Sequence, residues 1–381
     1  MRVLIDYRPA LRERSGAGEY THQLVRALAS LAAASRRRTA GPAADLDLSL
    51  FSSSWKDRLT PVDDLEGVTL VDRRVPVSLL NLFWHRAGWP PTELLTGQRY
   101  DVTHSSHPLL MPSRTAAQVV TIHDLYFLAH PESTRAEVRR DYPALARAHA
   151  QRADRILVPS AYTADAVEQQ LGVPRERMAI APHGAPNWTP RTAVPQDGYV
   201  LFIGTLEPRK NLDGLLDAYE ELVERRIAVP GLRLAGRATP QAAGSLARIA
   251  RAPLAGVVRH VGYIDAADTR RLYEGARLLV MPSFDEGFGI PVLEAMTIGV
   301  PVVAARRGSL PEVLGDAGLL VDPGKPSEMA DAIARILADS GFAAQCAARG
   351  ITRSAQFRWN DTAQRVYQAY REAIEHHAHR D

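Results

Sequence analysis

The chain has 381 residues, 46% of them hydrophobic and 23% charged, which suits two globular domains and excludes a disordered or collagen-like polymer. Its net charge is +3, its basic residues are almost all arginine, and its only lysines are Lys56, Lys210 and Lys325; that balance does not suggest a nucleic-acid binder. The single cysteine, Cys346, excludes an internal disulfide framework, no apolar run is long enough to span a bilayer, and Met1 to Asp6 is no signal peptide, so a cytoplasmic location is expected.

The apolar run Val3-Leu4-Ile5 reads as a strand ending at the loop Arg14-Ser15-Gly16-Ala17-Gly18, after which Tyr20, Leu24, Leu28 and Leu31 recur at helical spacing. Further strands are predicted over 46–51, 68–71, 101–104, 119–123, 155–159 and 177–182, most of them separated by helical stretches, as in a parallel sheet covered on both faces. The proline-rich stretch from Pro186 to Pro195 has no periodicity and reads as a linker, placed at 187–198. Strands are then predicted over 199–204, 232–236, 257–262, 278–282, 301–305 and 318–322, and a helical pattern over 359–378 closes the chain. The expected fold class is α/β: two Rossmann-like, doubly wound parallel-sheet domains, 1–186 and 199–358, facing each other across a cleft.

Two stretches carry the most chemistry. Past the predicted strand end at Met281, Glu286 lies in a glycine-containing loop and Glu294 in a helix that starts near Pro291. A helix start suits phosphate, so carboxylates there are costly unless they face hydroxyl groups such as a sugar or ribose diol. The alternative is an acidic loop ahead of a solvated helix glutamate. The second stretch, Gly204-Thr205-Leu206-Glu207-Pro208-Arg209-Lys210-Asn211, also follows a strand, and its adjacent cations suit a diphosphate unless they are only a solvated helix start.

Other signals are weaker. Gly16-Ala17-Gly18 is half of a dinucleotide fingerprint whose third glycine is replaced by Thr21, which disfavours a nicotinamide dehydrogenase. His123 closes the stretch Thr121-Ile122-His123-Asp124 and is either a cleft residue or a structural histidine; His183 before Gly184 is similar. His376, His377 and His379 read as a solvated helix end. With no Cys/His cluster at zinc spacing, and Asp45-Leu46-Asp47 at the start of a strand, neither a metal nor a cofactor is expected.

Taken together, the Gly16 loop, Thr121 to Asp124, Val158-Pro159-Ser160, Pro182-His183-Gly184, Gly204 to Asn211, the Glu-x7-Glu pair Glu286 and Glu294, Gly299 to Val303 and Leu310 to Val313 resemble glycosyltransferase family 4. These are retaining enzymes of the GT-B fold, and the likeness is greatest to bacterial mannosyltransferases. The resemblance implies that Arg209 and Lys210 bind the donor diphosphate, that Glu286 contacts the transferred sugar and Glu294 the ribose, and that His123 lies beside the sugar. Gly16, Gly18, Gly204, Thr205, Phe288, Gly289 and Ile290 complete the implied donor-binding set. Some relatives carry an arginine where Thr205 stands, which would leave phosphate neutralisation more dependent on Arg209 and Lys210. It also implies that the C-terminal helix, 359–381, crosses back onto the first domain.

The expected function is metal-independent transfer of a sugar, GDP-mannose being the first donor considered, to a glycan or lipid-linked acceptor in surface polysaccharide or glycoconjugate synthesis. A nucleotide-sugar epimerase, a phosphorylase or a non-catalytic nucleotide-sugar-binding subunit is the alternative. Peripheral contact with the inner face of the plasma membrane is a further expectation. It rests on Arg135, Arg139, Arg140, Arg147, Arg152 and Arg155 in the segment 133–155, opposed only by Glu137, Asp141 and Asp154, and on Leu79-Leu80-Asn81-Leu82-Phe83-Trp84 with Trp89. The competing reading has the arginines solvated and the aromatics packed inside.

Overall fold

The computed structural model describes residues 1–11, 16–37, 41, 43–55, 57–60, 65–130 and 141–379. Arg14, Ser15, Lys56, Arg135, Glu137, Arg139 and Arg140 lie outside the described residues. The chain divides into two units, Met1–Gly184 with Arg358–Asp381, and Ala185–Phe357.

In unit 1 the strands β1 (Arg2–Asp6), β2 (Asp47–Ser53), β3 (Thr69–Arg73), β4 (Val102–Ser105), β5 (Ala117–Thr121), β6 (Arg155–Val158) and β7 (Met178–Ile180) form one parallel sheet in the order β3-β2-β1-β4-β5-β6-β7. The described helices between them are α1 (Ala17–Arg37), α2 (Val77–Ala87), α3 (Thr92–Thr96), α4 (Tyr126–Ala129), α5 (Tyr142–Arg152) and α6 (Ala161–Leu171). β1, β2, β4 and β5 are buried at nearly every position because both faces of the sheet are covered, although β2 and β4 carry Ser49, Ser52, Ser53, Thr103, His104 and Ser105 among their apolar residues. Val3 and Ile5 of β1 pack with Tyr20, Leu24 and Leu28 of α1 and with Val366 and Tyr370 of the C-terminal helix, whereas Leu4 packs on the other face with Phe51, Leu80 and Trp84.

The C-terminal helix, Trp359–Ala378, belongs to this unit. The Thr362 hydroxyl donates to the Pro182 carbonyl at 2.6 Å, and the Tyr370 hydroxyl is hydrogen-bonded to His104 Nδ1 at 2.7 Å. A Cβ at Gly184 would stand 2.4 Å from the Trp359 backbone nitrogen, so only glycine admits the helix so close.

Unit 2 repeats the pattern with β8 (Tyr199–Ile203), β9 (Leu232–Ala235), β10 (Val258–Gly262), β11 (Ala276–Met281), β12 (Val302–Ala305) and β13 (Leu319–Val321), all parallel, in the order β10-β9-β8-β11-β12-β13. Its helices are α7 (Leu212–Glu224), α8 (Ala243–Ile249), α9 (Ala266–Glu274), α10 (Ile290–Ile298), α11 (Leu310–Leu314), α12 (Pro326–Ala338) and α13 (Ser340–Ser354). The proline-rich stretch lies on this unit: Trp188 packs on Tyr273, and Arg191 N–H donates to the Ile298 carbonyl at 3.0 Å.

Each sheet reverses its strand order once, between β1 and β4 in unit 1 and between β8 and β11 in unit 2. At such a point the loops after the two strands part, leaving a crevice at their carboxyl ends where open α/β sheets bind ligands. Among the described residues no helix is long and apolar enough to cross a membrane.

Candidate active site

In unit 2 the two loops at the reversal point are the two stretches singled out by sequence. After β8 the chain passes Gly204 and exposed Thr205, makes one 3-10 turn at Pro208–Lys210 and enters α7 through Asn211. Asn211 holds a left-handed φ of 54°, caps α7 by accepting from Gly214 N–H, and donates Nδ2 to the carbonyls of Pro282 at 3.2 Å and Pro323 at 2.8 Å. It ties the end of β8 to the ends of β11 and β13, a task its place in the motif did not reveal.

That tie brings Lys210 to Glu286. Lys210 Nζ donates to Glu286 Oε1, which also accepts from the Ser283 hydroxyl at 2.7 Å. Arg209 Nη1 reaches Glu286 Oε2 at 3.4 Å, and its Nε donates to Glu207 at 2.6 Å. Lys210 and Glu286 are 7% and 6% exposed. Burial pushes the Glu286 carboxyl up, but the Lys210 ammonium, the Arg209 guanidinium and the hydrogen bonds from Lys210 and Ser283 outweigh it and hold the group below the usual carboxylate range. The reading from sequence gave the cations to a phosphate and Glu286 to a sugar as separate tasks. The fold makes them one network, in which two carboxylates balance two cations, so an arriving anion must exchange partners with Glu286 or Glu207.

The backbone around Glu286 is tightly specified. Ser309 N–H and hydroxyl both donate to the Glu286 carbonyl, at 3.0 and 2.9 Å. Gly308, at φ 60°, would place a Cβ 2.6 Å from the same carbonyl oxygen. Gly308→Ala is therefore expected to shift the loop and to cost about 1–3 kcal/mol of unit 2 stability, as overpacking does; an unchanged melting temperature and turnover would show that the loop yields freely.

The other donor-side residues fall as follows. Phe288 is buried with its ring against Phe357 at 5.8 Å, so only its backbone can face a ligand. Gly289, at φ 98°, precedes α10, whose first residue is Ile290 and which has no side-chain cap. Glu294 accepts from the Tyr273 hydroxyl at 2.7 Å, and burial together with that carboxylate raises the phenol well above its ordinary value. Tyr273 is a partner the sequence offered no signal for.

In unit 1 β5 ends at Thr121, two residues before His123, and Gly18 lies in the first turn of α1, not in the preceding loop; Gly16 is exposed at φ 52°. His123 meets the ring of Tyr20 edge-on at 4.7 Å and that of His183 at 5.6 Å. Burial lowers its imidazole to about 4, against the pull of Asp124 and a hydrogen bond to the Ser106 backbone. Its Nε2 is buried with no hydrogen-bond partner among the described residues.

The reversal point of unit 1 holds a network that sequence reading missed. Asp6, the fully buried last residue of β1, accepts from Arg8 Nε at 2.8 Å and Nη2 at 2.7 Å, and from His107 Nε2 at 3.1 Å. Burial raises its carboxyl, but Arg8 and His107 together hold it well below the carboxylate range. The buried hydroxyls of Ser53, Ser105 and Ser106, at or just past the ends of β2 and β4, have no hydrogen-bond partner among the described residues.

Three expectations need correction. The arginine-rich segment 133–155 is not one helix in its described part: α5 ends at Arg152, Asp154 is buried, and Arg155 starts β6 with its guanidinium on Glu372. His376 and His377 are not simply solvated, since both meet the buried Asp154 carboxylate at 3.3 Å. The stretch 79–84 is neither wholly inside nor wholly outside: Leu80 and Trp84 are buried, and Leu79, Leu82 and Phe83 are exposed. Among the described residues no group of three or more His, Cys, Asp or Glu could hold a metal ion.

A family model described as Glycosyl transferases group 1 matches residues 188–353, and one described as Glycosyl transferase 4-like domain matches residues 15–184. O-antigen chain mannosyltransferase B of Escherichia coli is 33% identical over 274 residues, 68% of this chain and 72% of that protein. A D-inositol 3-phosphate glycosyltransferase of Acidothermus cellulolyticus is 30% identical over 72% of this chain and 68% of its own. For the enzyme of that name from Nocardioides sp., 35% identical over 48% of this chain, the match spans 43% of the relative's length. Among solved structures, sucrose-phosphate synthase from Thermosynechococcus elongatus gives a TM-score of 0.73 at 22% identity over 97% of this chain and 98% of that one. Anabaena HepE in complex with UDP and glucose gives 0.68 at 20% over 97% and 98%. At those identities the likeness is one of fold.

Proposed function

This chain belongs to glycosyltransferase family 4, with the GT-B fold, and we propose that it moves a mannosyl group, with retention and without a metal, from GDP-mannose to a glycan or lipid-linked acceptor of a surface polysaccharide. The observation that carries the reading is the buried Lys210–Glu286–Arg209 network at the strand-order reversal of unit 2. Breaking the bond between sugar and diphosphate leaves negative charge on the diphosphate. Lys210 and Arg209 are the cations that would stabilise it, aided by the positive end of α10 behind Gly289 and Ile290. Glu286 Oε2, held among the described residues only by the long contact to Arg209, is the oxygen left to accept from sugar hydroxyls. Glu294 would hold the ribose, and Gly204 and Thr205 would line the donor's path.

In unit 1 we assign His123 to the sugar side, with Gly16 and Gly18 admitting the diphosphate at the start of α1. The unpartnered serine hydroxyls are assigned to the acceptor, because free hydroxyls suit a polyol, with Asp6 holding Arg8 and His107 in place beside them. Retention would follow if a donor phosphate oxygen takes the acceptor's proton on the face that the leaving group vacates. The mannosyl donor is supported by the names of the Escherichia coli relatives; UDP- and dTDP-sugars are the next to test.

The test is a transfer assay over a panel of nucleotide sugars, with and without excess EDTA. Transfer from GDP-mannose that survives the chelator is expected. Glu286→Gln should lose more in transfer than in affinity for the free nucleoside diphosphate, whereas Glu294→Gln should weaken that affinity as well. Activity restored only by added divalent metal, or equal effects of the two substitutions on nucleotide affinity, would refute these assignments.

A further inference from the structure

On α2 the apolar residues occupy both sides of the helix, and only one side is covered. Leu80 and Trp84 point into unit 1. Leu79, Leu82 and Phe83 share the opposite side with Arg86, at the i, i+3, i+4, i+7 spacing of a single helix face, and are 46%, 52% and 43% exposed. Trp89, 52% exposed, extends that face just past the helix end, its ring edge-on to Phe83 at 6.4 Å. Trp55 stands at the other end, its indole N–H donating to the carbonyl of Arg74 three residues before α2. A surface helix ordinarily turns charged residues to water, whereas this one turns a second apolar side to it.

We propose that the outer face of α2, with Trp89, docks on an anionic lipid bilayer and so brings a lipid-linked acceptor to the ligand-binding edge of unit 1. The proposal rests on the acceptor class assigned above. Its two parts come from separate observations. The composition of the face, leucines and a phenylalanine with tryptophans at its ends, suits the interfacial layer of a bilayer, where indole rings settle. The charge around it chooses the lipid: Arg74, Arg99 and Arg114 are exposed and make no ion pair among the described residues, whereas the nearby acids Asp72, Asp101 and Asp141 face Arg58, the N-terminal ammonium at 3.9 Å and Arg86 at 2.6 Å, which leaves Glu93 as the acid without a cation. Each arginine near such a surface adds attraction that salt screens.

The placement is also functional. Arg8 Nη1 donates to Asn81 of α2 at 2.9 Å, its guanidinium lies over Trp84 at 4.9 Å, and the same group grips Asp6 at the carboxyl end of β1. The helix that carries the apolar face is thus pinned to the edge where the acceptor would sit.

Co-sedimentation of the full chain with phosphatidylcholine vesicles, and with vesicles containing phosphatidylglycerol, at low and high salt, tests this. Binding to the anionic vesicles should exceed that to the neutral ones by about tenfold or more and weaken with salt. The double substitution Leu82→Ser/Phe83→Ser should lower vesicle binding by about tenfold or more while leaving the melting temperature and nucleoside diphosphate binding unchanged, since both side chains lie outside the core. Equal recovery on both lipids, none on either, or undiminished binding by the double variant would overturn the proposal. So would a solution dimer that the double variant dissolves, since it would assign the face to a second copy. Vesicle binding by a protein that transfers from no nucleotide sugar would keep the docking surface and remove the enzymatic reading.

Discussion

Lys210→Ala is expected to lower kcat by about 10²-fold or more, the usual cost of losing a group that stabilises charge developing in the transition state. The same substitution should also destabilise unit 2, for a reason unrelated to catalysis. Lys210 and Glu286 are both buried, and removing one member of such a pair leaves the other charge uncompensated, at a cost of about 3–5 kcal/mol. Arg209 at 3.4 Å and the Ser283 hydroxyl remain, which places the expected loss at the low end of that range.

The pH dependence separates the two effects. In the native chain Glu286 is held below its ordinary value of 4.5, so its contribution to stability is present above that pH and is lost as pH falls through the lowered value. Without Lys210, burial gains weight and the carboxyl moves up, so the stability deficit of the variant should shrink as the pH is lowered. Lys210→Met combined with Glu286→Leu should recover stability and remain inactive. Melting curves from pH 5 to 8 and steady-state kinetics decide the matter: a single variant that melts and turns over like the parent would reduce Lys210 to a bystander.

Acid should unfold unit 1 before unit 2. Burial lowers His104 and His85 to about 3, His149 and His123 to about 4, and His183 well below its ordinary value, with neighbouring charges adding smaller effects. All five stay neutral in the folded unit while the unfolded chain takes up protons near pH 6.5. Stability is therefore full above that value and is lost as pH falls toward 4, each histidine contributing up to about 1.4 kcal/mol per pH unit. Five together would remove several kcal/mol within one pH unit, a large share of the stability of an ordinary domain.

Of the twelve histidines only His260 lies in unit 2, so its unfolding midpoint should hold over the same range. Denaturant titrations at pH 7, 6 and 5 can follow the units separately through Trp188 of unit 2 and the tryptophans of unit 1. His104→Gln should flatten the dependence for unit 1. A unit 1 midpoint that does not move between pH 7 and 5 would mean that these histidines are protonated in the folded protein.

What the sequence by itself determined is local. Val3-Leu4-Ile5 and Val200-Leu201-Phe202 announce buried parallel strands, because a strand covered on both faces favours a continuous apolar run over alternation. The stretches after β8 and β11 were visible as ligand loops because glycine, proline and paired charges cluster within a few residues at a strand end. What only the tertiary structure decided is non-local. Strand order sets β8 beside β11 and β1 beside β4, so Lys210 meets Glu286 at a separation of 76 residues and Asp6 meets His107 at 101. No spacing rule relates such residues, since a parallel pair is joined by a crossover of variable length. The C-terminal helix reaches His104 through Tyr370, 266 residues away, by the same non-local packing. On α2 periodicity failed for a different reason: Leu79, Leu80, Leu82, Phe83 and Trp84 are apolar almost all the way round, so the sequence could not choose the buried side. Packing against Leu4 and Phe51 chose Leu80 and Trp84 and left Leu82 and Phe83 facing out.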